Sequence, residues 1–379
     1  MVKQKKSGLY IREDVNLGTL IYSPFTSQLS SSLENESFKA KLISWLDGKE
    51  DVLVEKEYLK SLGPGWKFPV KEAEPQSNKY LSSTNKKVII HKSEYPLVVN
   101  WLITSLCLGK CGYCYAKDIM NGNFKEPSDE IVKSVANTIL DYRPLAVVLS
   151  GGDPLCSNNL ENALSHLHKK TGLILDTNGF GLNDYHIKLF KKYDVFVRIS
   201  LDSQNPKDNN RLRASKDGAC SLQAAIDAIN KCLQNNIPVG IQTVVTSRNL
   251  GGIISLSDKL PRLGIRGWRL QLLAYHELAV NYKQLKPNVD RFYKNIAPQV
   301  AGKAGKKNMG MVYVDVVHNN FANSVVLVLP DGGFYTELKG VGKVPIDPNN
   351  IKKPSIEVMR DGVLHREGHT ARYLGDNWL

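Results

Sequence analysis

Between about residue 97 and residue 275, short runs of β-branched and aliphatic residues alternate with longer stretches whose apolar positions recur every three to four residues. The short runs predict strands over 98–105, 145–150, 172–177, 195–201, 239–245 and 267–273. The longer ones predict helices over 127–142, 158–170, 182–191, 221–235 and 252–263, several behind a Ser or Asn suited to capping. In 221–235 the residues Leu222, Ala225, Ile226, Ile229 and Leu233 share one stripe. Strands separated by helices predict parallel βαβ units with right-handed crossovers, an α/β fold. Six repeats rather than eight favour an open sheet or partial (βα)6 barrel, with the site at the carboxyl ends of the strands. The segments CLGKCGYC, GGDP, DTNG, SLDS and QTVVTSRN each end or follow a predicted strand, which argues for one shared cavity.

The flanks carry a different pattern. Residues 9–12 and 19–22 predict two short strands and 36–45 an amphipathic helix, with Asp47 and Gly48 as a turn before 52–62. Pro64, Gly65, Pro69, Pro75 and the Ser/Asn-rich stretch 76–87 read as a linker. After residue 276, 283–299 predicts a helix, 311–317 and 324–329 an antiparallel pair, and Asp331, Gly332 and Gly333 a turn into 334–337. The expected division is a small N-terminal α+β domain over 1–92, the partial barrel over 93–275, and a β-hairpin-containing C-terminal extension over 276–379.

Composition narrows this picture without choosing a partner. A chain of 379 residues, 42% hydrophobic and 23% charged, is long and apolar enough to fold around a proper core. Its net charge of +13 would suit nucleic acid, an anionic membrane or an acidic peptide, but the charge is dispersed in short runs that read as solvated faces. No apolar run approaches the roughly 18 residues that span a bilayer, and the opening MVKQKKSGLY lacks the apolar stretch of a signal peptide. A cytoplasmic protein with no membrane partner is expected. Three of the six cysteines fall within eight residues, which fits metal binding in a reducing compartment better than a disulfide framework.

Those three, Cys107, Cys111 and Cys114, form C-x3-C-x2-C after the first predicted parallel strand. Three thiolates so spaced can wrap one side of an iron–sulfur cube and leave its fourth iron open. A structural zinc site would want a fourth ligand, and the next histidine, His166, is far along the chain on a predicted helix. Gly109 and Gly112 inside the loop suit close approach to an inorganic core. Cys156, Cys220 and Cys232 read as small core residues, although Cys156 lies close to the expected cavity mouth.

The loop CLGKCGYCYAKD resembles the cluster-binding loop of radical S-adenosylmethionine (radical SAM) enzymes, including the aromatic Tyr113 before the last cysteine. The resemblance continues in order: Ser150-Gly151-Gly152-Asp153-Pro154 is similar to the family's Gly-Gly-Glu motif with Asp for Glu, Ser200 to Ser203 to the fourth-strand segment, residues 211–218 to the arginine-containing segment, and residues 242–249 to the fifth-strand segment. It implies a [4Fe–4S] cluster whose open iron is chelated by the amino and carboxylate groups of SAM. One electron would then cleave SAM to a 5′-deoxyadenosyl radical that abstracts a substrate hydrogen. It also implies an electron donor of flavodoxin or ferredoxin type. By the same resemblance Gly151, Gly152 and Asp153 hold the methionine amino group, Ser200 contacts ribose or carboxylate, Arg213 or else Arg211 pairs with the carboxylate, and Tyr113 packs near adenine with Val244 as a further contact. Read without it, Gly151 and Gly152 make a strand-to-helix turn, Asp153 is a helix cap, Ser200 and Asp202 are strand-end caps, and Asn178 is a turn residue or a substrate contact.

The flanks extend the resemblance towards radical SAM enzymes that modify ribosomally made peptides. The start of the chain is similar to their winged-helix-like module, whose edge strand accepts a precursor peptide. Residues 326–333 resemble the opening of their auxiliary-cluster domain, but no cysteine follows Cys232, so a single cluster is expected. The reading favours a peptide substrate. An RNA- or nucleotide-modifying enzyme would use the +13 charge, although nucleic acid is not favoured because no aromatic-and-basic recognition motif stands out. An aminomutase-like enzyme would use Lys343 as a pyridoxal-phosphate lysine. A non-enzymatic iron–sulfur protein would need a degenerate site, and the motifs are intact.

Overall fold

The computed structural model describes residues 3–4, 10–14, 18–23, 28–31, 96–120, 124–265, 267–273, 282–306, 310–314, 325–338 and 342–348. The expected helix at 36–45, the segment 52–62, the linker and the tail beyond residue 348 lie outside these residues.

Two sheets organise the chain. The first joins β1 (Lys3–Gln4), β2 (Tyr10–Asp14), β3 (Gly18–Ser23) and β4 (Gln28–Ser31) as an antiparallel meander. The second contains the six expected strands: β5 (Val98–Thr104), β6 (Ala146–Gly151), β7 (Gly172–Thr177), β8 (Phe196–Ser200), β9 (Val239–Val245) and β10 (Gly267–Leu272), each parallel to the next. β11 (Gly310–Val314) adds in parallel beyond β10, and β12 (Val326–Val328) adds in parallel beyond β5. β13 (Phe334–Leu338) and β14 (Gly342–Pro345) then follow antiparallel. The ten strands run β11-β10-β9-β8-β7-β6-β5-β12-β13-β14, an open, parallel-dominated sheet consistent with the partial barrel expected.

The expected antiparallel pairing of 311–317 with 324–329 is corrected. β11 and β12 sit on opposite sides of the six central strands, because alternation along a strand specifies a half-buried face and not a partner. The single helix expected over 283–299 is likewise broken into Tyr282–Leu285, Val289–Arg291, a π-helical turn Phe292–Ile296 and Ala297–Lys306. Asn288 caps its second piece by accepting the Arg291 N–H at 2.9 Å, an interruption that helical periodicity alone does not show.

The helices Asp129–Asp141, Leu160–Leu167, Asp184–Lys192, Ser221–Gln234 and Ile253–Arg262 cross between the parallel strands. Ser128 and Asn183 cap two of them, Asn183 in a reciprocal box with His186. These helices bury their stripes against one face of the sheet. Trp101, Val147, Leu149, Leu173, Leu175, Val197, Ile199, Ile241, Trp268 and Leu270 supply the strand side of that core. Strand side chains alternate between faces, so the opposite, inner face receives Asn100, Ser150, Asp176, Arg198, Ser200, Gln242, Val244, Arg269 and Gln271. The register sets Ser200, Gln242 and Arg269 side by side across β8, β9 and β10. The inner face of the sheet thus carries polar groups beside the apolar Leu102, Val148, Ile174 and Phe196, whereas its outer face is mainly apolar.

At the amino ends of the strands, β2 meets the barrel. The Tyr10 ring is fully buried against Gly172, and its hydroxyl donates to the Leu173 carbonyl at 3.0 Å. A Cβ at position 172 would lie 2.3 Å from that ring, so glycine makes the socket. Among the described residues no helix is long and apolar enough to cross a membrane.

Candidate active site

The loop after β5 carries the three clustered cysteines and is fastened on both sides. Thr104 ends the strand; its hydroxyl donates to Glu126 and accepts the Leu106 N–H at 3.0 Å. Gly152 N–H donates to the Thr104 carbonyl at 2.8 Å, and Asp153 N–H to the Leu106 carbonyl at 2.7 Å. Across the loop, Lys110 N–H donates to the Ala214 carbonyl at 2.7 Å and Lys216 N–H to the Leu108 carbonyl at 2.8 Å. The motifs after β5, β6 and β8 are thus sewn together through backbone.

This explains the two glycines. A Cβ on Gly152 would stand 2.1 Å from the Leu106 carbonyl oxygen, and one on Gly151, at φ +134°, 2.4 Å from the Thr104 oxygen. Neither position accepts a side chain while the cysteine loop keeps its place. Asp153 is fully buried. Its carboxylate accepts the Leu155 N–H at 3.1 Å, the Asn178 N–H at 2.8 Å and the Thr177 hydroxyl at 2.9 Å, which locks the end of β7 to the end of β6. Burial nevertheless dominates and raises its pKa to about 6.

Each thiol has polar company of its own. Cys107 Sγ accepts the Gly109 N–H at 3.2 Å and the Asn178 side-chain amide at 3.4 Å. Burial pushes its pKa up to about 12 and that of Cys111 to about 11, the latter against an opposing pull from the Arg213 cation. Cys114 Sγ lies 3.8 Å from the Met120 sulfur and packs with Leu102, Ile119, Val325, Leu327 and Tyr335; burial raises its pKa also, against Arg213 and Lys343. Without a metal these thiols keep their protons, and metal binding would displace them.

Behind Cys111 lies a buried network. Asp202, fully buried, accepts the Tyr113 hydroxyl, the Val244 N–H at 2.8 Å and the Arg213 Nη2–H at 3.2 Å, with Arg213 Nε 2.9 Å from its second oxygen. The guanidinium also lies 5.6 Å from the Tyr113 ring centroid. Burial opposes the Arg213 charge, but Asp202, Tyr113 and Cys111 outweigh it and hold the residue protonated. Asn249 ties this site to β9 by donating to the Asp202 and Val244 carbonyls, both at 2.8 Å. Tyr113 and Val244 pack with Leu212, Leu273 and Leu285. Ser200 ends β8, on the inner face beside Gln242, whose side-chain oxygen is buried without a partner among the described residues, as is the Ser150 hydroxyl.

The structure therefore brings Cys107, Cys111, Cys114, Tyr113, Gly151, Gly152, Asp153, Ser200, Arg213 and Val244 to one end of the sheet. Sequence reasoning gave too little weight to Asp202, read as a strand-end cap, and did not single out Asn249, Glu126 or Asp118. The only signal for Asp202 was its place in SLDS at the end of a strand. Lys343 is committed elsewhere than a Schiff base: its amine donates to Asp118 Oδ2 at 2.8 Å and to the Tyr115 carbonyl at 3.4 Å.

Among the described residues no group of three or more His, Cys, Asp or Glu side chains converges tightly enough for a single metal ion. Thiolates on separate irons of a cluster need not converge in that way, and a soft, all-cysteine donor set suits iron–sulfur chemistry. The orphaned Ser150 and Gln242 oxygens on the inner face fit a polar ligand beside it.

Residues 101–253 match the Radical SAM superfamily. The chain is 28% identical over 181 residues to the Fe-coproporphyrin III synthase of Methanosarcina barkeri, covering 45% of this chain and 44% of that one. It is 28% identical over 163 residues to the GTP 3′,8-cyclase of Clostridium perfringens, covering 41% and 49%. It thus spans about half the length of these curated relatives. Among solved structures, Streptococcus suis SuiB bound to S-adenosylmethionine superposes with TM-score 0.59 at 14% identity, covering 91% of this chain and 85% of SuiB. SuiB bound to its precursor peptide SuiA superposes with TM-score 0.56 at 13% identity over 100% and 89%.

Proposed function

We propose, for a chain that is a radical SAM superfamily enzyme, that its substrate is a ribosomally made peptide. The family's [4Fe–4S] cluster and SAM supply, when bound, the one-electron cleavage that yields a 5′-deoxyadenosyl radical. In our reading Cys107, Cys111 and Cys114 are the thiolate ligands. Gly151 and Gly152 let the backbone approach SAM closely, and Asp153 holds that strip in place through Thr177 and Asn178. Ser200 and Val244 line the inner face next to it, with Tyr113 and Arg213 fixed behind by Asp202. The exposed Leu106, Leu108 and Tyr115 leave the rim of the loop apolar, suited to excluding water once a substrate covers it.

One observation carries the peptide reading: an antiparallel sheet precedes the barrel, and among the described residues its β4 pairs on one side only, with β3. An extended peptide can add to such an edge. The likeness of nearly the whole chain to SuiB, which has been crystallised with a precursor peptide, supports it at the level of fold. The Fe-coproporphyrin III synthase and the GTP cyclase match over about half their length and do not discriminate between substrates. A nucleotide is the second reading, favoured by the match to the GTP cyclase. We place the enzyme in the cytoplasm, reduced by a flavodoxin or ferredoxin, with a single cluster.

The test uses the full chain, reconstituted anaerobically with iron and sulfide and supplied with SAM and dithionite. Formation of 5′-deoxyadenosine, lost in Cys111→Ala, is the expected result for radical initiation. Short peptides encoded beside the gene should then bind the full chain and raise turnover. If GTP does so and no peptide does, the peptide reading falls.

A further inference from the structure

The C-terminal hairpin reaches the cysteine loop at one point. β14 lies at the end of the ten-stranded sheet, far from Cys114 in sequence, yet the Lys343 side chain is buried against the short helix Lys117–Met120 that follows the last cysteine. Its amine sits 2.8 and 3.0 Å from the two Asp118 oxygens and 3.4 Å from the carbonyl of Tyr115, the residue after Cys114. β12 and β13 continue the contact, since Leu327 and Tyr335 pack in the same apolar cluster as Cys114.

A buried cation and a half-buried anion beside one ligand act on a redox centre with opposite signs. Reduction adds negative charge, so a nearby cation favours the reduced state and a nearby anion opposes it. Of the pair, the Lys343 amine also reaches the carbonyl of Tyr115, next to Cys114, at 3.4 Å, so the cation is held against the backbone of the cysteine loop. Removing the lysine would therefore do more than subtract a favourable charge, because it would leave Asp118 unpaired next to the ligand.

We propose that Lys343, paired with Asp118, is a positioning residue through which the C-terminal hairpin holds the cysteine loop and sets the reduction potential of the cluster that the loop carries. The proposal rests on the cluster reading above. It gives the hairpin an electrostatic task at the cluster although it contributes no ligand.

The experiment is a potentiometric titration, followed by electron paramagnetic resonance, of the reconstituted full-length protein and its Lys343→Met, Lys343→Arg and Asp118→Asn variants. Lys343→Met should lower the ratio of reduced to oxidised cluster at a fixed potential by about tenfold, a shift of about 59 mV for a one-electron couple. Asp118→Asn should raise that ratio, and Lys343→Arg should restore most of the wild-type value. If Lys343→Met loads poorly, the opposite sign in Asp118→Asn still decides. Equal potentials in all loaded forms, or shifts of the same sign in both neutral variants, would overturn the proposal alone. A wild-type chain that takes up no cluster would overturn the functional reading beneath it as well.

Discussion

The two ends of the parallel sheet are built by different rules. At the amino ends, every helix-to-strand turn between β5 and β10 repeats one device. The helices end at Asp141, Leu167, Lys192, Gln234 and Arg262, and two residues later the backbone turns left-handed at Arg143, Lys169, Asp194, Asn236 and Gly264. Three of these turns close with the six-to-one bond of a Schellman motif: Val195 to Phe190, Ile237 to Cys232 and Ile265 to Leu260. At the carboxyl ends the turns also carry local bonds, as from the Leu106 N–H to the Thr104 hydroxyl and from the Gly179 N–H to the Thr177 hydroxyl, but side chains from other segments are added to them: Asp153 grips Thr177, Asp202 grips Arg213, and Asn249 grips Asp202. One end repeats a local solution; the other depends on contacts made across the chain.

The largest effect expected from this difference comes from a matched pair of glycines. Gly152→Ala places a methyl 2.1 Å from a backbone oxygen of the cysteine loop, and backbone cannot swing aside as a side chain can. Iron and sulfide uptake after reconstitution should fall at least about tenfold, as for disrupted outer-shell support of a metal site. Gly172→Ala is as crowded, at 2.3 Å, but against the Tyr10 ring at the opposite end. It should expel that ring and lower the melting temperature while leaving cluster uptake near wild type. Equal loss of uptake in both variants would show that the two ends are not independent.

How far the sequence discloses each end follows from the same contrast. The bounds of β7 and β9 are readable to the residue, because each is a short stretch rich in β-branched and aliphatic residues lying between turn signals. The helix Pro206–Leu212 is not, since PKDNNRL carries no apolar stripe; its cues were Asn205 as cap and Pro206 in the first turn. At the site, the cysteines and glycines stand out by spacing alone. The network joining Tyr113, Asp202 and Arg213 does not, because three segments meet only in the fold. The same holds for Lys343 and Asp118, separated by 225 positions.

A second, smaller effect should appear in the pH dependence of stability. Asp153 has a folded pKa of about 6, raised by burial above its ordinary value of 3.8. Between these values the folded chain binds more protons than the unfolded one, so stability is fully present below the lower value and declines as pH rises through the higher. The difference amounts to about 3 kcal/mol. Urea unfolding of the metal-free protein should show that decline between about pH 4 and 7, and Asp153→Asn should flatten it. An unchanged slope in the variant would mean that the hydrogen bonds to this carboxylate compensate its burial.

The smallest effect belongs at the amino end. Lys169 is exposed and left-handed, with φ 63°, a conformation that costs an L-residue roughly 1–2 kcal/mol and glycine almost nothing. Glycine loses more freedom on folding, which offsets part of that gain. Lys169→Gly should therefore stabilise the chain by a few tenths to about 1 kcal/mol in urea unfolding, with cluster uptake unchanged. Asp194 is a poorer choice, because its carboxylate lies 3.3 Å from His168 and the substitution would remove that contact too. If Lys169→Gly instead destabilised the protein or lowered uptake, the repeated turns could not be purely local devices. The amino end would then share in the long-range coupling that distinguishes the site.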